Sequence, residues 1–480
     1  MAQSGLIEKF AAIVGDKGLT TDPGDMAPWL TDWRRRVKAD ALAIVAPAHR
    51  GEVKAVVEFA AAHRVAIVPQ GGNTGMVAGA VPRPGERPII LSTRRLDTIG
   101  EVDVQDNSVT VGAGAILSNV HRAAEAAERR FPLSLGAKDS ATVGGLIATN
   151  AGGTQVLRFG SMRALTLGVE AVLPDGSLFE GLSTLRKDNR GYDLRQLLAG
   201  SEGTLGIITA ASLRLFPAAP HRLAAWIGLD STSDALTLLR HLEGVHGDAL
   251  EGFELVPRDA LAIVLEHIPG TRPPLEKQHR WNVLVELRSP GDIEAMQAMF
   301  ERALAEALAA GLIGDAAVAA SEAQAEAFWK LRDSISEAER HDGEATKHDV
   351  SVPVSAMPRF IDETTKAVEA EFAGARVIAF GHLGDGNVHF NVRGPAGADS
   401  DRWFIERGGA VSAFVHDRVR AIGGSLSAEH GIGQLKIAEF ARLADPARLT
   451  ALRAIKQALD PLDIMNPGKL VPLAEPDRNP

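Results

Sequence analysis

The stretch Val65-Ala66-Ile67-Val68-Pro69-Gln70-Gly71-Gly72-Asn73-Thr74-Gly75 determines the fold class that the sequence predicts. Its apolar run, Val65–Pro69, predicts a strand, and the glycines that follow allow backbone N–H groups to turn toward a ligand. Upstream, Leu42–Ala46 predicts another strand, and Glu52–His63 has the apolar spacing of a helix. Strand, helix, strand and glycine loop in this order predict an α/β unit.

Three further clusters of glycine and small residues follow this loop in the first half of the chain. They are Ser134-Leu135-Gly136, Gly144–Gly153 and Gly200–Gly206. One such loop is most often an ordinary tight turn, but four of them among short predicted strands favour a concave anion site suited to a diphosphate. The chain contains neither a P-loop motif nor a Rossmann glycine motif after its first strand, so these two nucleotide sites are disfavoured.

Length, charge and composition exclude several classes of protein. A chain of 480 residues is too long for one ordinary core and predicts two or three domains. A net charge of −10 and an aromatic content of 5% argue against a nucleic-acid binder. There is no cysteine, so any metal must be bound by His, Asp, Glu or water.

The distribution of apolar residues indicates whether the chain carries a signal peptide or a membrane-spanning helix. The start of the chain lacks the apolar run of a signal peptide, and no stretch of about 18 apolar residues predicts a membrane-spanning helix. We therefore expect a cytoplasmic protein, with peripheral attachment to the inner face of the membrane left open.

The second half of the chain has a different pattern. After Phe216–Pro220, whose composition predicts a linker, short apolar strands alternate with long alanine-rich helices, one of them predicted over Glu322–Glu339. The part before the linker contains a predicted hairpin over Thr166–Phe179, a predicted strand at Val102–Val104 and a predicted helix over Leu117–Arg129. This alternation predicts a second, α+β domain with an antiparallel sheet.

A group of histidines in the second half carries the most specific chemistry. The segment Gly381-His382-Leu383-Gly384-Asp385-Gly386-Asn387-Val388-His389-Phe390-Asn391-Val392 joins a turn to a strand. His389 and Asn391 share one strand face, and the turn can fold His382 back beside His389. Glu429 and His430 precede two further glycines. A lone histidine near a strand is most often packing, but this group favours a site for Zn²⁺ or Mn²⁺.

The glycine loops resemble those of the vanillyl-alcohol-oxidase / p-cresol-methylhydroxylase flavoprotein superfamily, over nearly the whole chain. The resemblance implies an α+β protein with a two-subdomain FAD-binding domain and an inserted α+β cap built on an antiparallel sheet. A C-terminal segment, which contains Asn466-Pro467-Gly468-Lys469, would return to the FAD domain. The boundaries that we predict are 1–217 for the FAD-binding domain, 218–424 for the substrate or cap domain and 425–480 for the C-terminal segment.

The same resemblance implies FAD as the cofactor. No histidine lies in the 69–75 loop, so we expect FAD to be bound noncovalently. The residues that would contact it are Pro69, Gln70, Gly71, Gly72, Asn73, Thr74, Gly75, Ser134, Leu135, Gly136, Gly145, Ala148, Thr149, Asn150, Gly152, Gly153, Gly200, Glu202, Gly203, Ile207, Ile208 and Asn466.

The histidine segments are similar to the metal site of the D-2-hydroxyglutarate and D-lactate dehydrogenase branch of that superfamily. On this resemblance, three residues bind the metal, with Zn²⁺ expected and Mn²⁺ as the alternative, and one residue is both the general base and a substrate contact. The metal ligands are His382, His389 and Glu429, the base is His430, and the further substrate contacts are Arg332, Ser336, Lys347 and Asn391. Arg332 and Lys347 would hold substrate carboxylate.

Substrate and partners stay open within this branch. Ser336 stands where dicarboxylate-specific members usually have threonine; this departure keeps the hydroxyl but leaves the length of the substrate open. D-2-Hydroxyglutarate is expected, with D-lactate, D-malate and glycolate as alternatives. The electron acceptor is unidentified, an electron-transfer flavoprotein and a quinone being two options, and a homodimer is one open assembly. A flavin-free metal hydrolase is the competing class, but it leaves the glycine loops unexplained. An ether-lipid synthase of the same superfamily is disfavoured by the histidine segments.

Overall fold

The computed structural model describes residues 3–472 and divides into two compact units. The first unit runs to Gly153, resumes from Phe159 to Ala218 and resumes again from Glu429 onward. The second unit contains Thr154–Arg158 and Ala219–Ala428. The first unit is therefore built from three separate stretches of the chain.

The strands and helices alternate along both units. The strands are β1 Leu19–Thr20, β2 Ala43–Val45, β3 Ile67–Gln70, β4 Ile89–Ser92, β5 Ser108–Gly112, β6 Arg129–Arg130, β7 Thr166–Val172, β8 Leu178–Gly181, β9 Ile207–Arg214, β10 Phe216–Pro217, β11 His221–Leu229, β12 Leu250–Pro257, β13 Trp281–Ser289, β14 Asp315–Val318, β15 Thr346–Ser351, β16 Arg376–His382 and β17 Asn387–Arg393. The α-helices are α1 Gln3–Val14, α2 Pro23–Met26, α3 Arg50–His63, α4 Leu117–Ala126, α5 Val143–Thr149, α6 Val156–Phe159, α7 Met162–Leu165, α8 Leu194–Leu198, α9 Thr232–His246, α10 Arg258–His267, α11 Ile293–Ala309, α12 Glu322–Asp333, α13 Ile335–His341, α14 Met357–Glu371, α15 Ser400–Ala421, α16 Ile437–Leu443 and α17 Pro446–Leu459.

The first unit contains the α/β arrangement that the opening stretch predicts. Strands β2, β4 and β3 are parallel neighbours, and β1 pairs antiparallel with β2. Helix α3 begins where the side chain of His49 accepts a hydrogen bond from the amide of Glu52, and it buries Val53, Val56 and Val57. These valines join a core with the strands because α3 presents one apolar face. β3 therefore ends, and the 69–75 loop begins, at the edge of a packed sheet.

A second sheet of the first unit is antiparallel, in the order β5-β9-β7-β8. The predicted hairpin is present as β7 and β8. Two boundaries predicted in this region are wrong. Val102–Val104, expected as a strand, forms only an isolated bridge at Asp103, and the helix expected over Leu117–Arg129 ends at Ala126. Three residues after the end of this helix, Arg129–Arg130 forms β6 and pairs with β10. β10 lies inside the stretch predicted as a linker.

The second unit is built on one seven-stranded sheet in the order β14-β11-β13-β12-β16-β17-β15. Every neighbouring pair is antiparallel, which confirms the predicted α+β class with an antiparallel sheet. One face packs against α9, α11, α14 and α15. Part of the other face packs against α10, α12 and α13. Side chains alternate between these faces, so polar residues can be confined to one of them.

The single helix predicted over Glu322–Glu339 is wrong, because the chain breaks it into α12 and α13 at Ser334. The amide of Ser334 donates to the carbonyl of Lys330, and its own carbonyl accepts from Glu337. Both helices keep an apolar face on the sheet, with Phe328, Leu331 and Ile335 buried. Helical periodicity continues across one non-helical residue, which is why the sequence pattern did not reveal the break. No helix within residues 3–472 is long and apolar enough to cross a membrane.

Candidate active site

The 69–75 loop lies against a neighbouring loop of the first unit. A Cβ atom placed on Gly71 would lie 2.1 Å from Oγ1 of Thr142, and one on Gly72 would lie 2.0 Å from the carbonyl oxygen of Ser140. Asn73 adopts a left-handed conformation with φ of 55°, and its side-chain amide donates to the carbonyl of Thr31 at 3.0 Å. Glycine is thus required here by a close backbone approach, not only by a turn.

The other glycine clusters meet within the same unit. A Cβ on Gly153 would lie 2.0 Å from the carbonyl oxygen of Ser134, and one on Gly203 would lie 3.0 Å from the Pro69 ring. The amide of Gly200 donates to the carbonyl of Ile147 at 2.9 Å. The four clusters therefore converge, although up to about 130 residues separate them along the chain.

The polar groups of this cradle fit an anionic dinucleotide. None of the backbone N–H groups from Gly71 to Gly75 donates a hydrogen bond within the described part of the chain. Oε1 of Gln70 and Oγ1 of Thr142 are buried and have no hydrogen-bond partner among those residues. Successive unpaired amides favour a diphosphate, and buried orphan polar atoms favour a polar ligand beside it. The cradle thus has the donors that the FAD diphosphate needs.

The remaining residues predicted to contact FAD lie in the same unit. Ala148, Thr149 and Asn150 end α5, and the hydroxyl of Thr149 donates to the carbonyl of Gly145 at 2.9 Å. Asn150 Oδ1 accepts from the hydroxyl of Ser161 and the amide of Arg163. Leu135, Gly136, Gly152, Ile207 and Ile208 are the other members of this set. These internal bonds fix the backbone around the cradle.

Two residues of the predicted FAD set use their side chains to hold the C-terminal stretch in the first unit. The carboxylate of Glu202 accepts the amides of Ile432 and Gly433, each at 2.7 Å, and burial raises the pKa of Glu202. The side-chain amide of Asn466 donates to the carbonyls of Gly79 and Glu202. The return of the C-terminal stretch therefore depends on side chains whose function the glycine motifs do not reveal.

Replacing Gly72 by alanine should lower both FAD occupancy and stability. The new methyl group would clash with backbone, which cannot rotate away, so we expect a loss of about 1–3 kcal/mol in the free energy of unfolding. Gly244→Ala is the control, since a Cβ at Gly244 meets nothing within 4 Å and Gly244 lies on α9, outside the residues predicted to contact FAD. The flavin-to-protein absorbance ratio and thermal unfolding measure both effects. Equal flavin content in the two variants would contradict this role of Gly72.

In the second unit, a hairpin brings the two predicted histidine ligands together. Strands β16 and β17 pair so that Phe380 faces His389 and His382 faces Asn387. The His382 and His389 rings lie 5.7 Å apart, centroid to centroid. The Gly-Asp-Gly turn joins the strands at this end, as the sequence predicted. Two imidazoles thus lie on one sheet face.

A buried carboxylate from the next strand holds His382. Oε1 of Glu254, on β12, lies 2.6 Å from Nδ1 of His382, and Glu254 has no exposed surface. Burial acts to raise the pKa of Glu254, but the charges and hydrogen bonds of Arg332 and His382 lower it to about 2. Glu254 is therefore ionised, and a metal would be bound through Nε2 of His382.

The predicted substrate arginine uses the same carboxylate. Nε of Arg332, on α12, donates to Oε2 of Glu254 at 2.7 Å, and the guanidinium lies 5.2 Å from the centre of the Phe380 ring. Arg332 is 7% exposed, and its Nη groups donate no hydrogen bond within residues 3–472. A nearly buried guanidinium with unused donors suits an anionic ligand.

The predicted substrate lysine has a second buried carboxylate. Nζ of Lys347, on β15, lies 3.4 Å from Oε2 of Glu339, and the side-chain amide of Asn391 donates to the same oxygen at 2.7 Å. Burial raises the pKa of Glu339, although the charges of Lys347 and Arg393 oppose the shift. Ser336, on α13, is exposed, and no hydrogen bond involves its side chain within the described chain.

The strand β15 leads to the last two predicted site residues. Oδ1 of Asp349 lies 3.8 Å from Nδ1 of His389 and accepts the side-chain amide of Asn387 at 2.9 Å. The amide of Ala428 donates to the carbonyl of Asp349 at 3.2 Å. Glu429 and His430 follow Ala428 directly in the chain.

Sequence reasoning missed three acidic residues of this polar face, Glu254, Glu339 and Asp349. A signal was available for Glu254, which interrupts an apolar strand between Phe253 and Leu255. A charge at such a position is rarely buried without a partner. The partner, however, lies about 130 residues away and cannot be read from the local pattern.

The chain is similar to known flavin-dependent proteins over nearly its whole length. Residues 219–470 match the family described as FAD linked oxidases, C-terminal domain, and residues 41–181 match the FAD binding domain. The D-2-hydroxyglutarate dehydrogenase of Xanthomonas citri pv. viticola is 38% identical over 453 residues, which cover 94% of each chain. The mitochondrial D-2-hydroxyglutarate dehydrogenase of Arabidopsis thaliana is 33% identical over 466 residues, covering 97% of this chain and 81% of that protein.

A solved structure extends the likeness to the fold. Substrate-bound p-cresol methylhydroxylase aligns with a TM-score of 0.74 at 14% identity, covering 97% of this chain and 96% of that one. The shared fold confirms the predicted type of FAD-binding architecture.

Proposed function

This chain belongs to the FAD-linked oxidase family, and from that premise we propose that it oxidises D-2-hydroxyglutarate to 2-oxoglutarate. It is an FAD-dependent oxidoreductase of the D-2-hydroxyacid dehydrogenase type. Its own residues and its similarity to D-2-hydroxyglutarate dehydrogenases favour a five-carbon dicarboxylate as the substrate.

One observation carries the choice of substrate: two anchored cations flank a histidine pair on one sheet face. Arg332 is held by Glu254 of β12, and Lys347 lies on β15. The two strands between them, β16 and β17, carry His382 and His389. A substrate with two carboxylates can neutralise both cations, whereas lactate or glycolate can neutralise only one. This arrangement supports a dicarboxylate.

We assign a divalent metal to His382, His389 and Glu429, with Zn²⁺ as the expected ion and Mn²⁺ as the alternative. The donor set fits, since Glu254 holds Nδ1 of His382 in the way that carboxylates orient metal-binding histidines. When bound, the metal supplies a positive charge for the substrate hydroxyl and carboxylate, and FAD supplies the hydride acceptor.

The protein itself must orient the acid and remove a proton. Arg332 and Lys347 would bind the carboxylates, and Asn391 would contact the substrate beside them. His430 would take the proton from the C2 hydroxyl, because imidazole is the side chain that most commonly acts as a general base. The hydroxyl of Ser336 would lie near the distal carboxylate of the substrate, where dicarboxylate-specific members of the branch have a threonine.

We also propose an electron acceptor, an assembly and a location for the protein. The electron acceptor is an electron-transfer flavoprotein or a quinone, and a homodimer and a cytoplasmic location remain predictions. D-Lactate, D-malate and glycolate dehydrogenases are the alternative substrate assignments. A flavin-free hydrolase is disfavoured, since it has no use for the FAD binding domain at 41–181.

A panel of D- and L-2-hydroxy acids with an artificial dye acceptor tests the assignment. We expect D-2-hydroxyglutarate to exceed D-lactate in kcat/KM by at least about tenfold, since one additional ion pair of about 1.4 kcal/mol gives that factor. The L enantiomers should be inactive. D-Malate tests chain length at constant charge. A higher kcat/KM with D-lactate than with either dicarboxylate would refute the two-cation argument.

A further inference from the structure

We propose that Glu254 is a positioning residue that fixes a metal ligand, His382, and a substrate contact, Arg332, with its two oxygens. The proposal rests on the proposed function, because that function gives His382 and Arg332 their roles. The location of Glu254 in the middle of β12, opposite His382 on β16, follows from the register of the sheet.

The contacts of Glu254 are divided between its two oxygens. Oε1 lies 2.6 Å from Nδ1 of His382, and Oε2 lies 2.7 Å from Nε of Arg332. The carboxylate has no exposed surface, so water does not compete for these oxygens. A buried carboxylate with one partner at each oxygen has a fixed orientation, and it transmits that orientation to both partners.

The bond to His382 determines which ring nitrogen carries the proton. Oε1 of Glu254 faces Nδ1 of His382 at 2.6 Å while Oε2 accepts from Nε of Arg332, so the carboxylate is the acceptor toward both partners and Nδ1 of His382 is the nitrogen that carries the proton. Nε2 is then the nitrogen with the lone pair, as binding of a metal requires. Glu254 therefore selects the tautomer that can act as a ligand.

The bond to Arg332 fixes the orientation of the Arg332 guanidinium in the same way. Nε is held by Glu254, and the Phe380 ring supports the guanidinium at 5.2 Å. The Nη groups, which donate to nothing within residues 3–472, keep the fork geometry that binds a carboxylate. One side chain of the protein thus orients both a metal ligand and a substrate contact.

The variant Glu254→Gln tests the hydrogen bonds of Glu254 separately from its packing, because glutamine has nearly the same shape as glutamate. Nε of Arg332 can only donate, so it retains the amide oxygen of the glutamine. The amide NH₂ then faces Nδ1 of His382, which must accept, and the ring proton moves to Nε2. The substitution therefore places a hydrogen where the metal would bind, without creating a cavity.

The matched control is Glu251→Gln, on the same strand. Glu251 is also buried, at 1% exposure, and it pairs with Arg158 and with Nε2 of Gln155 at 3.1 Å. Arg158 and Gln155 are not among the residues assigned to substrate or metal. Both variants remove one buried charge from β12, so a difference between them reports on the partners of the carboxylate.

The experiment titrates Zn²⁺ into FAD-loaded, chelator-treated enzyme and, separately, measures 2-oxoglutarate binding by the change in flavin absorbance. In Glu254→Gln we expect the Zn²⁺ Kd to rise about 10- to 100-fold and the 2-oxoglutarate Kd to rise by about tenfold, with unchanged flavin content. Glu251→Gln should retain both affinities. Glu254→Asp keeps the charge but is shorter, so it should give an intermediate loss and replaces the first variant if that one does not fold.

Three results would overturn the proposal. One is wild-type Zn²⁺ affinity in Glu254→Gln, another is equal loss in Glu251→Gln, and the third is a wild-type enzyme that binds no Zn²⁺. The failure of the proposed function looks different: the wild-type enzyme would bind Zn²⁺ but would not oxidise D-2-hydroxyglutarate with the dye. In that case the Zn²⁺ comparison still decides the role of Glu254, since it requires no substrate.

Discussion

His430→Asn is expected to retain FAD and to abolish its reduction by D-2-hydroxyglutarate. An amide cannot take the proton from the C2 hydroxyl, and loss of a general base typically costs about 10²- to 10⁴-fold in rate. The measurement is stopped-flow bleaching of the oxidised-flavin absorbance under anaerobic conditions. Because His430 lies two residues from Ile432, whose amide bonds to Glu202, flavin content must be measured in the same preparation.

His49→Asn is the control for this variant. His49 caps the start of α3 through its side chain, and asparagine is also a good capping residue, so both stability and flavin reduction should be unchanged. If His430→Asn is reduced by substrate as rapidly as the wild type, His430 is not the base.

Removal of the metal is expected to stop turnover while leaving the flavin bound. A metal bound by His382, His389 and Glu429 would add a positive charge beside the substrate hydroxyl, an effect worth several kcal/mol, so we expect a loss of at least about 10²-fold after exhaustive chelation. Dye-linked turnover is measured before chelation, after it, and after Zn²⁺ or Mn²⁺ is added back. The ion that restores more activity at equal occupancy is the preferred metal.

A ligand variant separates metal loss from damage by the chelator. His382→Ala should have low turnover before chelation and should not recover when Zn²⁺ is added, whereas the chelated wild type should recover. Flavin content should be the same in the variant and in the chelated wild type, because the residues predicted to contact FAD belong to the other unit. Full activity of the wild-type enzyme after exhaustive chelation would exclude an essential metal.

Much of the architecture could be predicted because it depends on local pattern. The strand and loop at Val65–Gly75, the hairpin at β7 and β8 and the antiparallel sheet of the second unit all follow from apolar periodicity and turn residues. The pairing of His382 with His389 follows from a short turn, which brings residues near in sequence together in space.

Errors occurred where tertiary contacts override local preference. Helical spacing continues through Ser334, yet the chain breaks there and packs α12 and α13 separately on the sheet. Arg129–Arg130 was expected to end a helix and instead pairs with β10. Periodicity reports which side of an element is apolar, but not where backbone hydrogen bonds change partners.

The sequence alone determined the fold class and the family, because the glycine loops and the histidine segments are contiguous motifs that can be recognised without knowledge of tertiary contacts. Only the tertiary structure decided which carboxylates serve the site: Glu254 meets His382 and Arg332, and Glu339 meets Lys347 and Asn391. These partners come from different strands and helices. Burial makes such pairs obligatory, since an unpaired charge inside the protein costs several kcal/mol, but their identity depends on sheet register and helix packing.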